Sequence, residues 1–155
     1  MELRLKRQDH AASWEYRTVR KSDREDLAIL LYAAFHGTID DEGEPFSEAL
    51  AEIDRTFAGD CGGLLFDCSF IIEQGDFLAS ACLIGRPDPH DAPLVVFSMT
   101  RPDAQGRGMA QFLLSRSIDA LLDRGYGRLT LIVTEGNAPA QRLYASLGFR
   151  PIVET

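Results

Sequence analysis

Leu94-Val95-Val96-Phe97-Ser98-Met99, followed after a short bridge by Gln105-Gly106-Arg107-Gly108-Met109-Ala110, is the stretch on which the fold of this chain turns. The apolar run reads as a strand, and Pro102 ends its regular pairing because proline has no N–H to give to a ladder. Beyond the glycines, Ala110, Leu113, Leu114, Ser117, Ile118 and Leu121 recur at helical spacing until Gly125. The whole is a strand, a glycine-rich turn and a helix N-terminus. Such a junction aims unpaired backbone N–H groups and the positive end of a helix dipole at one spot, where a phosphate can sit. Glycines let that ligand approach the backbone with no Cβ in the way. Neither common nucleotide fingerprint is present: the chain has no G-x-x-x-x-G-K-[ST] and no G-x-G-x-x-G.

Downstream, Leu129 to Val133 is a short apolar run bounded by polar residues, as expected of a strand buried on both faces. Asn137 is placed to cap a last helix whose inner face carries Ala140, Leu143, Tyr144 and Leu147; Gly148 stops it, and Phe149 to Val153 returns to the sheet. Upstream, Arg86 to Pro93 holds three prolines and reads as a loop. Cys68 to Glu73 and Phe77 to Ile84 form two antiparallel strands around Gln74-Gly75-Asp76. Two helices precede them. The first is capped by Ser22 or Asp23, carries Leu27, Leu30, Leu31, Ala34 and Phe35 on one face, and ends near Gly37. The second starts at Pro45 and carries Phe46, Ala49, Leu50, Ile53 and Phe57. A short strand fits Trp14 to Val19. Residues 1–13 form a polar, basic extension that is either an added edge strand through Leu3 and Leu5 or unordered.

At 155 residues with 45% hydrophobic and 26% charged side chains, the chain fits one globular domain, residues 14–155, behind that extension. No apolar run approaches the roughly 20 residues of a membrane helix, and the charged N-terminus lacks a secretory core, so a cytoplasmic protein with no membrane partner is expected. Cys61, Cys68 and Cys82 lack metal-type spacing and read as reduced thiols; no His, Cys and carboxylate cluster suggests a metal. A net charge of -8 argues against nucleic acid as a partner and favours cations.

This order of elements, the Gln105 to Ala110 loop, and the later run Asn137-Ala138-Pro139-Ala140-Gln141-Arg142-Leu143-Tyr144-Ala145-Ser146-Leu147-Gly148-Phe149 resemble the GCN5-related N-acetyltransferases, the GNAT family, over about Tyr16 to Val153. The resemblance implies an α/β fold with a mixed, mostly antiparallel sheet flanked by helices and splayed at a central parallel strand pair. It implies acetyl-coenzyme A as cofactor and an acetyl group passed to a primary amine by direct attack. Gln105, Gly106, Arg107, Gly108, Met109 and Ala110 would hold the pyrophosphate, with Arg107 available for a charge-assisted contact. Phe97, Ser98 and Met99 would offer their backbone to the pantetheine arm. Asn137 would touch the same arm or serve only as a helix cap.

The resemblance also assigns catalytic roles. A primary amine with a pKa near 10.4 costs roughly 4–5 kcal/mol to deprotonate at pH 7, so a base is worth seeking. Glu135, past the end of the buried strand, is the first candidate and Glu73 the second; His36 more simply closes a helix, and chains of water serve in some members. Tyr144 matches the position that serves the leaving thiolate, against the alternative of a core tyrosine on an apolar helix face. The acceptor is a small molecule or a peptide. The loop with Asp40, Asp41, Glu42 and Glu44 either selects a cationic amine or is merely solvated. The chain ends six residues after Phe149, which leaves the pocket more open or completed by a second copy in a homodimer. The alternative to an enzyme is a noncatalytic acyl-coenzyme A sensor, which would have no need of Tyr144.

Overall fold

The computed structural model describes residues 2–5, 14–35, 43–58, 63–86, 92–131 and 138–150. Among these, six strands form one sheet: β1 (Glu2–Arg4), β2 (Arg17–Thr18), β3 (Phe70–Gln74), β4 (Phe77–Gly85), β5 (Leu94–Thr100) and β6 (Arg128–Leu131). They lie in the order β1-β6-β5-β4-β3-β2. Every neighbouring pair is antiparallel except β5 with β6, which run parallel. Four α-helices accompany them: α1 (Arg24–Phe35), α2 (Phe46–Ala58), α3 (Met109–Asp123) and α4 (Ala138–Ser146).

The period-2 alternation of the strands sorts the core into two layers. Ile72, Cys82, Ile84 and Val95 face Met109, Leu113, Leu114 and Ile118 of α3, with Leu147 and Phe149 from the end of α4 joining the same cluster. Ile71, Ala81, Leu83 and Met99 point the other way, onto Leu27, Leu30 and Leu31 of α1 and Ile53 of α2. The α1 stripe is buried at Leu27, Leu30, Leu31 and Ala34, but that of α2 only at Ala49 and Ile53: Leu50 and Phe57 are half-buried, and Phe46, expected on the inner face, is 39% exposed in the first turn, where its ring meets Tyr32 edgewise at 6.0 Å.

The structure moves several expected boundaries. Cys68 does not open a strand: Phe66–Cys68 is a 3-10 turn, and β3 begins at Phe70. The Cys68 N–H bonds to the Leu65 carbonyl at 3.1 Å and the Ser69 hydroxyl donates to the same carbonyl at 2.8 Å, so the backbone is drawn into a turn there. The β3–β4 turn is tighter than expected, since Gln74 already pairs with Phe77, and Gly75 takes φ +64°. Asp23 caps backwards: its carboxylate accepts the Arg20 N–H at 2.7 Å while Arg17 grips it with two bonds of 2.7 and 2.9 Å.

Of the two readings of the N-terminal stretch, Glu2–Arg4 takes the strand. β1 pairs with β6 on one side, while on the other Glu2 exchanges two backbone hydrogen bonds with Arg150, of 2.8 and 2.9 Å. Leu3 and Leu5 are buried. The edge of β6 is therefore covered by the start of the chain, and of the expected return after Phe149 the described residues contribute the single bridge at Arg150.

Candidate functional site

The glycine loop is built by short-range bonding. After β5, the Arg101 N–H reaches back to the Ala79 carbonyl at 2.8 Å and Pro102–Ala104 makes one 3-10 turn, with buried Ala104 pinning it to the core. Gln105 donates its side-chain amide to the Thr100 carbonyl at 3.3 Å and so closes the loop on its own strand. Gly106 and Gly108 follow with φ of +79° and +80°, left-handed values that L side chains adopt only with strain. Met109, 1% exposed, then anchors α3.

Gln105 through Gly108 are all exposed. A Cβ on Gly106 would meet nothing within 4 Å, so that flank of the loop is open. The first turn of α3 carries no acidic residue to compete with an anion, and its leading N–H groups lack intrahelical acceptors. Arg107 extends over the surface, its guanidinium 3.5 Å from the Asp103 carbonyl. These residues fit a bound diphosphate.

β5 holds the second part of the site. Its register with β4 slips, so that Leu83 faces Phe97 while Ile84 faces Val95, which leaves Val96 as a bulge. Parallel pairing to β6 is recorded at Leu94↔Thr130 and Val95↔Leu131. From Val96 onward β5 pairs with β4 and has no β6 partner among the described residues, as a strand pair that splays would. Phe97 and Met99 turn their side chains toward α1 and α2. Ser98 lies opposite Cys82 and faces the other layer.

Tyr144 comes to this strand. Its phenol meets the Ser98 hydroxyl; burial pushes the phenol above its ordinary value, and Ser98 partly offsets that. The turn after α4 explains why the tyrosine stands where it does. Phe149 N–H bonds to the Tyr144 carbonyl at 3.0 Å and Gly148 N–H to the Ala145 carbonyl at 3.0 Å, a Schellman cap with Gly148 at φ +98°. The Phe149 ring packs on the Tyr144 ring at 5.7 Å. Leu-Gly-Phe in the sequence motif is thus the clamp that fixes Tyr144. Beneath it, burial pushes the Cys82 thiol up to about 12, while the Ser117 hydroxyl turns toward the sulfur. That Ser117 contact falls short of hydrogen-bond geometry.

Glu73 is elsewhere. It sits on β3 with β4 between it and β5, and it is ion-paired to Arg17, which Asp23 also holds. Glu135 and Asn137 lie outside the described residues, as do Asp40, Asp41 and Glu42; Glu44 is exposed just ahead of α2. Sequence reasoning missed the Val96 bulge, for which no residue type in the run gives a signal. It also missed Trp14, whose ring lies beside Gly108, 3.6 Å from where a Cβ would be.

A model of the acetyltransferase (GNAT) family matches residues 14–149. The chain belongs to the GNAT acetyltransferase family. A mycothiol acetyltransferase of Beutenbergia cavernae is 39% identical over 79 residues, covering 51% of this chain and 26% of that protein. This chain therefore spans about a quarter of that relative's length. The ribosomal-protein-S18-alanine N-acetyltransferase of Escherichia coli superposes with a TM-score of 0.68 at 26% identity, over 90% of this chain and 79% of that one. A GNAT family acetyltransferase of Brucella melitensis, solved with acetyl-CoA, superposes at 0.68 with 17% identity, over 88% and 82%. The sheet of this GNAT chain, mixed and open with the parallel pair β5–β6, is the fold that they share. No described helix is long and apolar enough to cross a membrane. The described residues hold no group of three or more His, Cys, Asp or Glu suited to a metal ion.

Proposed function

We propose that this GNAT chain binds acetyl-coenzyme A between β5 and β6 and transfers its acetyl group to the primary amine of a cationic small molecule or peptide. One observation supports the reading: the exposed glycine loop follows directly on β5, whose stretch from Val96 to Met99 has no β6 partner among the described residues, and the phenol of Tyr144 meets Ser98 on that same strand. The loop backbone from Gly106 to Ala110 holds the diphosphate. The edge of β5 beyond Val95, which has no β6 partner among the described residues, takes the amide-rich arm, and the bulge at Val96 turns backbone groups out of the ladder, where an N–H can serve the developing oxyanion.

The bound coenzyme supplies an activated thioester: the amine nitrogen forms a bond to its carbonyl carbon, the C–S bond breaks, and the amine proton leaves to a base. Tyr144 serves the departing sulfur. Ordinary tyrosine is already about 2 kcal/mol too weak an acid to protonate a thiolate fully, and burial makes Tyr144 weaker still. Its role is hydrogen-bond donation to the thiolate, with the proton completing its transfer from solvent. Glu73 is committed to Arg17, so the base is Glu135 or a water chain that ends on it. The relatives carry names as different as mycothiol acetyltransferase and ribosomal-protein-S18-alanine N-acetyltransferase. The acceptor proposed here therefore rests on Asp40, Asp41, Glu42 and Glu44 and on the net charge of -8.

The test is thiol release from acetyl-coenzyme A against a panel of polyamines, amino sugars and lysine peptides, with coenzyme binding measured by calorimetry in parallel. Saturable turnover on a cationic amine supports the proposal. Binding without turnover on any amine replaces it with the sensor reading, and no binding removes both.

A further inference from the structure

The N-terminal side of the glycine loop carries a wall that the acetyltransferase chemistry does not call for. Trp14, the single tryptophan of the chain, is half-buried, and the edge of its six-membered ring faces Gly108. Its Cη2 lies 3.6 Å and its Cζ3 4.0 Å from the point where a Cβ on Gly108 would stand. The ring is held in turn. It tilts against Phe112 at 5.7 Å, and Phe112 sits in the first turn of α3 with its N–H on the Gly108 carbonyl at 3.0 Å. Two residues on, Tyr16 presents its ring edgewise to Phe112 at 5.4 Å and to Phe70 at 5.3 Å. Arg116 lies over the Tyr16 ring at 5.8 Å and donates to its hydroxyl at 3.3 Å.

We propose that Trp14 is a positioning residue for the diphosphate of the coenzyme, holding Gly108 in the one backbone conformation that aims the loop N–H groups at the ligand. The inference rests on the acetyl-coenzyme A reading above and adds to it the residue that sets coenzyme affinity. A glycine at φ +80° is free to leave that basin, and a loop that must be ordered on binding gives up affinity in doing so. An aromatic ring standing one methyl's width from the Gly108 Cα bounds the space into which the loop can swing on that flank. The other flank, at Gly106, stays open for the ligand. Trp14 acts through Gly108 and through the N-terminus of α3.

The test compares Trp14→Leu and Trp14→Phe with wild type in the full chain, with thermal unfolding to establish that each is folded. Calorimetry then uses two ligands: coenzyme A, and pantetheine, which lacks the diphosphate. Trp14→Leu is expected to weaken coenzyme A roughly tenfold, the loss of preorganisation in one loop, to leave pantetheine unchanged, and to be largely rescued by Trp14→Phe. Equal coenzyme A affinity in folded Trp14→Leu, or an equal loss for both ligands, overturns the proposal. Should Trp14→Leu not fold, wild-type fluorescence decides. The sole tryptophan should change its emission on saturation with coenzyme A and not with pantetheine; an unchanged emission where calorimetry records binding overturns the proposal. Wild type that binds no coenzyme A sinks the acetyltransferase reading itself, a result distinct from these.

Discussion

Tyr144 does two jobs that one substitution can separate. Its ring is the partner of Phe149 in the cap of α4, while its hydroxyl reaches Ser98 and the proposed thiolate position. Tyr144→Phe keeps the first and deletes the second. Turnover should fall on the order of 10²-fold with coenzyme affinity and melting temperature nearly unchanged; wild-type turnover from about pH 6 to 9 would reduce Tyr144 to packing. At the loop, Gly106→Ala and Gly125→Ala impose the same kind of strain, since both positions have φ near +80° to +90° and neither Cβ would meet an atom within 4 Å. Each should cost about 1–2 kcal/mol of stability. Only Gly106→Ala should also weaken coenzyme A, because its methyl enters space reserved for the ligand; equal affinities in the two variants would disconnect the loop from the diphosphate. The buried thiols set a third expectation. Burial pushes Cys68 up to about 11, with Asp123 adding to it, and Cys82 to about 12, against an ordinary 9.0. Between pH 9.0 and about 12 the folded chain keeps protons that the unfolded chain releases, so stability falls as pH rises, by about 1.4 kcal/mol per pH unit for each proton held. Urea midpoints measured upward from about pH 8 should show this decline, and Cys82→Ala should flatten it.

Elements were legible wherever a period and a stop signal coincided. The α1 stripe of Leu27, Leu30, Leu31 and Ala34, and the Gly125 and Gly148 stops, stand where spacing and backbone freedom put them. Cys68 and the bulge at Val96 were not legible, because each depends on what lies across a strand pair or on one hydroxyl, that of Ser69. The site divides the same way. The glycine loop and Tyr144 are local motifs and can be read along the chain; the approach of Ser98 to Tyr144, the Arg17 clamp on Glu73 and the wall at Trp14 are tertiary facts. The N-terminal strand shows most clearly how elements lean on one another. Leu3 Cδ1 stands 3.2 Å from the position of a Cβ on Gly148, so β1 presses on the turn that clamps Tyr144. Leu3→Ala should lower stability by roughly 2–4 kcal/mol, as a buried leucine truncation does, and should lower turnover with it by loosening α4. Urea denaturation at a temperature where the variant is still folded, paired with the turnover assay, checks both; lost stability with full turnover would make β1 a staple only.

For the molecule as a whole, the charge of -8 gives a field that draws cations, and the proposed site for a cationic acceptor adds to it the four carboxylates of Asp40, Asp41, Glu42 and Glu44, neighbours in the sequence ahead of α2. Replacing Asp40, Asp41, Glu42 and Glu44 by their amides keeps shape and removes four charges. KM for the best cationic amine should rise and its salt dependence flatten, while the acetyl-coenzyme A constant stays put. An unaltered amine KM at low ionic strength would leave the loop merely solvated. The covered edge of β6 has a consequence of another kind, in time. β1 is made before both of its partners, β6 and Arg150, and even its ion pair from Glu2 to Arg128 joins residues 126 positions apart. During synthesis β1 cannot pair until β6 and Arg150 have left the ribosome. Contacts of such long sequence separation form late, since their loop must be closed before they return any stabilisation. The place of β1 in the sheet is thus filled only after β6 exists to receive it.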